Sequence, residues 1–240
     1  MIFVVSPYEG DLALIGTTDI PFEGRAEDVR IEPEEVAYLL SAIERYFERA
    51  PVAGDVLHSF SGVRPLYDDK AVNPSAVTRD YVFDIEAPPG AAPMLSIFGG
   101  KITTYRKLAE HALEKLSPFL PRMAGPWTQN APLPGGDLPN ADFPRFLSET
   151  RRRRSWLPAE IALGYARRYG ARIEELLDGA KSLEDLGRIF GGTLYEREAR
   201  FLAANDWAEK AEDVLERRTK HGLHLTETQR AIFAAWFEAP

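Results

Sequence analysis

Ile97-Phe98-Gly99-Gly100-Lys101-Ile102-Thr103-Thr104-Tyr105-Arg106-Lys107 carries an apolar strand through two glycines into an amphipathic helix. The strand reads from Met94 to Phe98. The helix reads from Ile102 to Leu116, with Leu108, Ala112, Leu113 and Leu116 on one face. Glycines at such a junction let a ligand approach the backbone closely, and the free N–H groups of a first helical turn attract negative charge. Lys101 adds a full cation, and Thr103 and Thr104 add hydroxyls. The same residues also suit a tight strand–helix turn with a solvated lysine. The glycine spacing is not that of a phosphate-binding P-loop.

Upstream of the junction the chain reads mainly as strands. Ile2–Val5 and Leu12–Thr17 flank Ser-Pro-Tyr-Glu-Gly, a hairpin signal. Glu32–Arg49 reads as a helix with Pro33 in its first turn and Val36, Leu39, Leu40, Ile43 and Phe47 in one apolar stripe. Val56–Leu66 and Ala76–Ile85 read as extended, separated by Asp and Pro clusters. Met1 leads directly into this sheet, which predicts strand partners from outside the segment.

Downstream, Ser117–Pro144 holds seven prolines and Gly135-Gly136, a poor helix and a poor central strand. Helices are predicted at 142–154, 158–169, 172–178, 193–206, 207–221 and 226–238. Gly170, Gly179 and Gly222 stand where helix ends favour left-handed backbone. The expected fold class is α+β: a partial mixed or antiparallel substrate-binding sheet with one ligand-facing helix, then an all-α C-terminal domain. The predicted boundaries are 1–117, a linker at 118–144, and a helical domain at 145–240.

A formal charge of −8 argues against nucleic acid as a partner. Residues 1–117 hold 11 Lys/Arg against 19 Asp/Glu, while 118–240 hold 18 of each. Cations in the first half therefore stand out against an acidic background. With no cysteine there is neither a disulfide framework nor a thiolate metal site, and no apolar run is long enough to span a bilayer. His58, His111, His221 and His224 lack metal-ligand spacing, so no metal is expected, and no nucleophile–base pattern is visible.

Arg64, in Ser61-Gly62-Val63-Arg64-Pro65-Leu66, and Arg79, in Thr78-Arg79-Asp80-Tyr81, interrupt otherwise apolar segments. An arginine there is costly to bury unless an anion meets it. With Lys101 the two arginines can form a phosphate pocket, since guanidinium forks match phosphate oxygens. Ordinary ion pairs, Arg79 with Asp80 or Arg64 with Asp68 or Asp69, account for the same residues. Gly16-Thr17-Thr18-Asp19 reads as a side-chain-stabilised turn, and the runs Arg151–Arg154 and Arg217–Lys220 as solvated helix faces.

One ordered set of segments resembles the aerobic FAD-dependent glycerol-3-phosphate dehydrogenases. It comprises Ile15-Gly16-Thr17-Thr18-Asp19, Ser61 through Leu66, Thr78 through Tyr81, Phe98 through Ala112, Leu133-Pro134-Gly135-Gly136, and Arg217-Arg218-Thr219-Lys220 with Gly222. The resemblance covers the chain almost end to end. It implies that Gly99, Gly100, Lys101, Ile102 and Thr103 face FAD, with the helix N-terminus at the pyrimidine edge of the flavin. It also implies that Arg64, Arg79 and Lys101 hold the phosphate of sn-glycerol 3-phosphate. Oxidation to dihydroxyacetone phosphate, transfer of electrons to quinone, and a cytoplasmic enzyme peripheral at the inner face of the membrane follow from the same resemblance. A homodimer is among the assemblies it leaves open.

The family's G-x-G-x-x-G dinucleotide fingerprint is absent from these 240 residues. An N-terminal half is therefore an expected partner, and the isolated chain is expected to be inactive. Two other classes compete: an amino-acid-oxidising flavoenzyme, and a non-catalytic helical interaction module.

Overall fold

The computed structural model describes residues 4–64 and 80–239, and the chain divides into two units, residues 1–131 and 132–240. The first unit opens with an antiparallel hairpin, β1 (Val4–Tyr8) and β2 (Leu12–Gly16), in the register Val4↔Gly16 to Tyr8↔Leu12. Its turn uses Gly10 at φ 86°. The first strand thus runs later than the predicted Ile2–Val5, whose first two residues lie outside the described ones.

α1 spans Pro33–Glu44 and starts where proline's fixed φ and missing N–H suit a first turn. Glu32 and Glu35 form a reciprocal capping box over that turn. Leu39 and Ile43 of the predicted stripe are buried. The helix stops before the predicted Arg49, and Phe47, left half-exposed, has no core to extend the stripe into.

β3 (Tyr81–Glu86) and β4 (Met94–Gly99) pair antiparallel from Tyr81↔Gly99 to Glu86↔Met94. Alternation puts Tyr81 and Phe83 on one face, where both rings meet the edge of His111. His111 belongs to α2 (Tyr105–Leu116), so this helix covers that face of the hairpin. The described part of the predicted strand Val56–Leu66, residues 56–64, is not a strand; it has no ladder partner among the described residues. Leu66 and Ala76–Arg79 lie outside the described residues.

The second unit holds α3 (Phe143–Arg153), α4 (Ala159–Tyr169), α5 (Ile173–Leu176), α6 (Glu196–Asn205) and α7 (Glu227–Phe237). Their apolar faces bury one continuous cluster built on Tyr165, Ile173, Leu186, Leu194, Leu202, Val214 and Phe233. Capping fixes the ends: the Asp142 carboxylate accepts the Arg145 N–H at 3.0 Å, and Thr226 forms a capping box with Gln229.

Three details of this unit differ from the sequence expectation. A short hairpin, β5 (Ile189–Gly191) with β6 (Leu194–Tyr195), interrupts the helices and delays α6 to Glu196. The predicted helix 207–221 is instead a tight turn followed by a π-helical turn, Asp213–Arg218. Asp213 captures the N–H groups of Glu209 and Lys210 at 3.0 Å each, which starts that turn later than periodicity implies. Gly170 and Gly179 do take positive φ, but Gly222 does not. At Gly222 a Cβ would displace the Glu216 carboxylate, the far end of a side chain, so the position is crowded rather than left-handed.

Candidate functional site

At the strand–helix junction both glycines are left-handed, with φ 72° at Gly99 and 95° at Gly100. A Cβ on Gly100 would crowd Leu108 Cδ1 at 3.2 Å and Tyr81 Cβ at 3.4 Å, so the turn packs against β3 and α2 as tightly as glycine allows. The chain then enters a 3-10 turn, Ile102–Thr104, whose first bond runs from the Thr104 N–H to the Lys101 carbonyl at 3.0 Å. The N–H groups of Ile102 and Thr103 therefore precede the hydrogen-bonded turns. Lys101, Ile102 and Thr103 are all exposed, and Ile102 is 88% accessible.

Arg106 and Lys107 are both paired with Glu110. Its carboxylate accepts Arg106 Nη1 at 2.9 Å, Lys107 Nζ at 2.8 Å and the Thr128 hydroxyl at 2.5 Å. Bonding from Lys107, then from Thr128, holds the Glu110 carboxyl down to about 2. Lys101 has no such partner among the described residues and is the cation left at the turn.

Arg64 donates from Nη1 to Asp19 Oδ2 at 2.8 Å, across 45 residues of sequence. Asp19 is its carboxylate partner among the described residues; Asp68 and Asp69, the partners that spacing offered, lie outside them. Asp19 lies in the extended segment that follows β2, not in the turn expected at Gly16–Asp19, and the Thr18 hydroxyl beside it donates to Glu35 on α1. The structure thus joins two of the motif segments through Asp19 and Arg64. Among the described residues no hydrogen bond or ion pair joins Arg64 to Lys101. Arg79 lies outside the described residues. His58 is exposed, its ring 6.4 Å from that of Phe60.

The second unit contains a buried charged cluster that sequence reading missed. Glu198 is fully buried and accepts Tyr169 Oη at 2.6 Å and Arg168 Nε at 2.9 Å on one oxygen. Its other oxygen meets His221 Nε2 at 3.0 Å. Burial alone would raise the Glu198 pKa; the Arg168 charge and the His221 and Tyr169 hydrogen bonds outweigh it and hold the carboxyl below its ordinary value. Arg168 Nη2 also sits 2.9 Å from Glu198, but its alignment is too poor for a hydrogen bond. Leu194, Glu198 and Leu202 fall at helical spacing, so a carboxylate inside an apolar stripe was the available signal. Thr219 is buried, so the Arg217–Lys220 run is only in part a solvated face.

Comparison with known proteins agrees with this division of parts. Residues 1–106 match the sequence model described as FAD dependent oxidoreductase, and residues 126–236 match the C-terminal domain of alpha-glycerophosphate oxidase. The chain belongs to this family of FAD-dependent oxidoreductases. It is 54% identical over 237 residues to the D-erythritol 1-phosphate dehydrogenase of Brucella abortus, covering 99% of this chain and 47% of that protein. It is 45% identical over 233 residues to the glycerol-3-phosphate dehydrogenase of Pseudomonas aeruginosa, covering 97% and 45%. With the aerobic glycerol-3-phosphate dehydrogenase of Escherichia coli it shares 42% over 236 residues, covering 98% and 47%. The chain spans about half the length of these curated relatives. No helix among the described residues is long and apolar enough to cross a membrane.

Proposed function

We propose that this chain supplies the substrate-phosphate side and the flavin-facing turn of an FAD-dependent polyol-phosphate dehydrogenase. The observation that carries the reading is the exposed junction Gly99–Thr103, which brings together two left-handed glycines, the leading N–H groups of Ile102 and Thr103, and a lysine, these donors being without a partner among the described residues. That donor set fits the electron-rich pyrimidine edge of a flavin, where positive potential stabilises charge that builds during reduction. FAD, when bound, accepts the hydride from the carbinol carbon. Lys101, Arg64 and Arg79 hold and orient the phosphate so that this carbon faces the ring.

The dinucleotide-binding half of the enzyme comes from a segment or chain carrying the G-x-G-x-x-G unit. Exposed apolar side chains beside the junction, Ile97, Phe98, Ile102 and Tyr105, support a surface made to be covered. The electron acceptor is membrane quinone, and the enzyme works as a peripheral protein at the inner face of the membrane.

The substrate read from the sequence is sn-glycerol 3-phosphate, oxidised to dihydroxyacetone phosphate. The 54% identity to a D-erythritol 1-phosphate dehydrogenase favours a second reading, a four-carbon polyol phosphate. Steady-state kinetics of the FAD-loaded complete enzyme with both phosphates and with unphosphorylated glycerol test the proposal. The phosphorylated substrates should be turned over with far higher kcat/KM than glycerol, and the better of the two names the substrate. Equal use of glycerol would remove the phosphate-site reading.

A further inference from the structure

We infer that Asp19 is a positioning residue for Arg64, and that the N-terminal capping box of α1 anchors it. The inference rests on the reading of Arg64 as a substrate-phosphate contact. Asp19 touches Arg64 at one nitrogen only: Oδ2 accepts from Nη1 at 2.8 Å. Nη2 and Nε have no partner among the described residues, so one edge of the guanidinium remains available for a bidentate anion. Both side chains are about half exposed, at 49% and 56%. An ion pair in that setting contributes little to stability. Its consequence is geometric: it fixes where the remaining donors point.

The holding carboxylate is itself held. Thr18, the adjacent residue, donates its hydroxyl to Glu35 Oε1, while Glu35 Oε2 accepts the Glu32 N–H at 3.0 Å. One side chain therefore accepts the Glu32 N–H at the first turn of α1 and pins the Thr18–Asp19 segment. The Glu32 amide, then the Thr18 hydroxyl, lower the Glu35 pKa, which keeps both oxygens available as acceptors. The path runs from the first turn of α1 through Glu35 and Thr18 to Asp19, and ends on the Arg64 fork. A flexible, solvated arginine would lose more freedom on meeting phosphate; one oriented beforehand loses less.

The test uses the FAD-loaded complete enzyme and compares Asp19→Asn, Asp19→Glu, Arg64→Ala and the double variant Asp19→Asn/Arg64→Ala. Asp19→Asn should raise the KM for the phosphorylated polyol about tenfold, equivalent to roughly 1.4 kcal/mol of binding, with kcat within about twofold. FAD content and melting temperature should not move. Asp19→Glu should recover most of the loss, and the double variant should be no worse than Arg64→Ala. An unchanged or lower KM in Asp19→Asn, or a full further rise on top of Arg64→Ala, overturns the inference. A lower KM would mean that Asp19 competes with phosphate. If Arg64→Ala leaves KM unchanged, the phosphate reading fails, and positioning is decided on the side chain itself. The 15N resonance of Arg64 Nε–H should be ordered in the unaltered protein and averaged in Asp19→Asn; the same order in both overturns the positioning role.

Discussion

Gly135 packs so closely on the Tyr169–Gly170 backbone that neither Gly135 nor Gly170 has room for a side chain. A Cβ at Gly135 would collide with the Tyr169 carbonyl, and a Cβ at Gly170 with the Gly135 carbonyl. The two backbones are joined by the Ala171 N–H donating to the Gly135 carbonyl at 2.9 Å, and both glycines have positive φ, 83° and 52°. The Leu133-Pro134-Gly135-Gly136 segment is thereby stitched to the C-terminal end of α4. Gly135→Ala or Gly170→Ala should destabilise the second unit by about 1–3 kcal/mol through overpacking and backbone strain. Urea unfolding followed by tryptophan fluorescence measures it; Gly179→Ala, whose added Cβ meets nothing within 4 Å, isolates the strain contribution at positive φ alone.

Glu198 connects α6 to α4 through Arg168 and Tyr169, and to the Thr219–His221 segment through His221. Glu198→Ala should cost about 3–5 kcal/mol at neutral pH, because it leaves the Arg168 charge uncompensated in the interior. The folded pKa of Glu198 lies below its ordinary value. Its stabilising contribution is therefore complete above the unfolded carboxylate pKa of roughly 4.3 and is lost as pH falls below that, through the depressed value. Denaturant midpoints measured from pH 7 down to pH 3 should converge between the unaltered chain and Glu198→Gln. A constant gap across that range would contradict the assignment.

Glu110, half-buried on α2, offers a second acid-range reading. With its carboxyl held at about 2, it stays ionised through the pH range in which ordinary glutamates titrate. The stabilisation it carries is present above the ordinary carboxylate range and disappears as pH falls toward 2. A 13C titration of its carboxyl should give a midpoint near 2, moving up in Lys107→Ala most and in Thr128→Ala next. An ordinary midpoint in the unaltered protein would remove the Arg106–Lys107–Glu110–Thr128 cluster as the device that leaves Lys101 alone at the junction.

The parts of the fold legible in the sequence are those with local causes. Gly99-Gly100 and the Pro33 start of α1 each carry their own backbone signal, and the structure builds them where expected; α2 begins at Tyr105, and of its predicted stripe Ala112 is buried while Leu113 is exposed. Residues 56–64 read as a strand because they are apolar and flanked by breakers, but a strand exists only through a partner, which one-dimensional reading does not supply. The π-helical turn after Lys210 depends on where the Asp213 carboxylate lands. In the candidate site Arg64 was legible as a cation in an apolar context. Its partner Asp19 was not, because 45 residues separate them and nearer carboxylates were equally plausible on spacing. Glu198 went unread although its place in an apolar stripe was visible, because a single charge in a long helix looks like a solvated one.

The proposed roles of Lys101 and Arg79 are separable by mutation. Lys101→Ala should raise the KM for the phosphorylated polyol about tenfold and also lower FAD retention, since the proposal sets its turn against both ligands. Arg79→Ala should raise KM by a similar factor while leaving FAD content unchanged. Kinetics and flavin-to-protein ratios on purified complete enzyme check both. Loss of FAD in Arg79→Ala would move that residue from the substrate side to the cofactor side.

The central claim is that residues 1–131 place phosphate-binding cations against a flavin-facing turn in a polyol-phosphate dehydrogenase. Anaerobic reduction of the bound flavin tests it most directly: the complete FAD-loaded enzyme is mixed with sn-glycerol 3-phosphate or D-erythritol 1-phosphate, and the flavin absorbance is followed without any acceptor. The account predicts bleaching by at least one of the two phosphates, and a much higher phosphate-ester concentration for half-bleaching in Arg64→Ala. Flavin that remains oxidised with both substrates, or bleaching that is indifferent to Arg64, would contradict it.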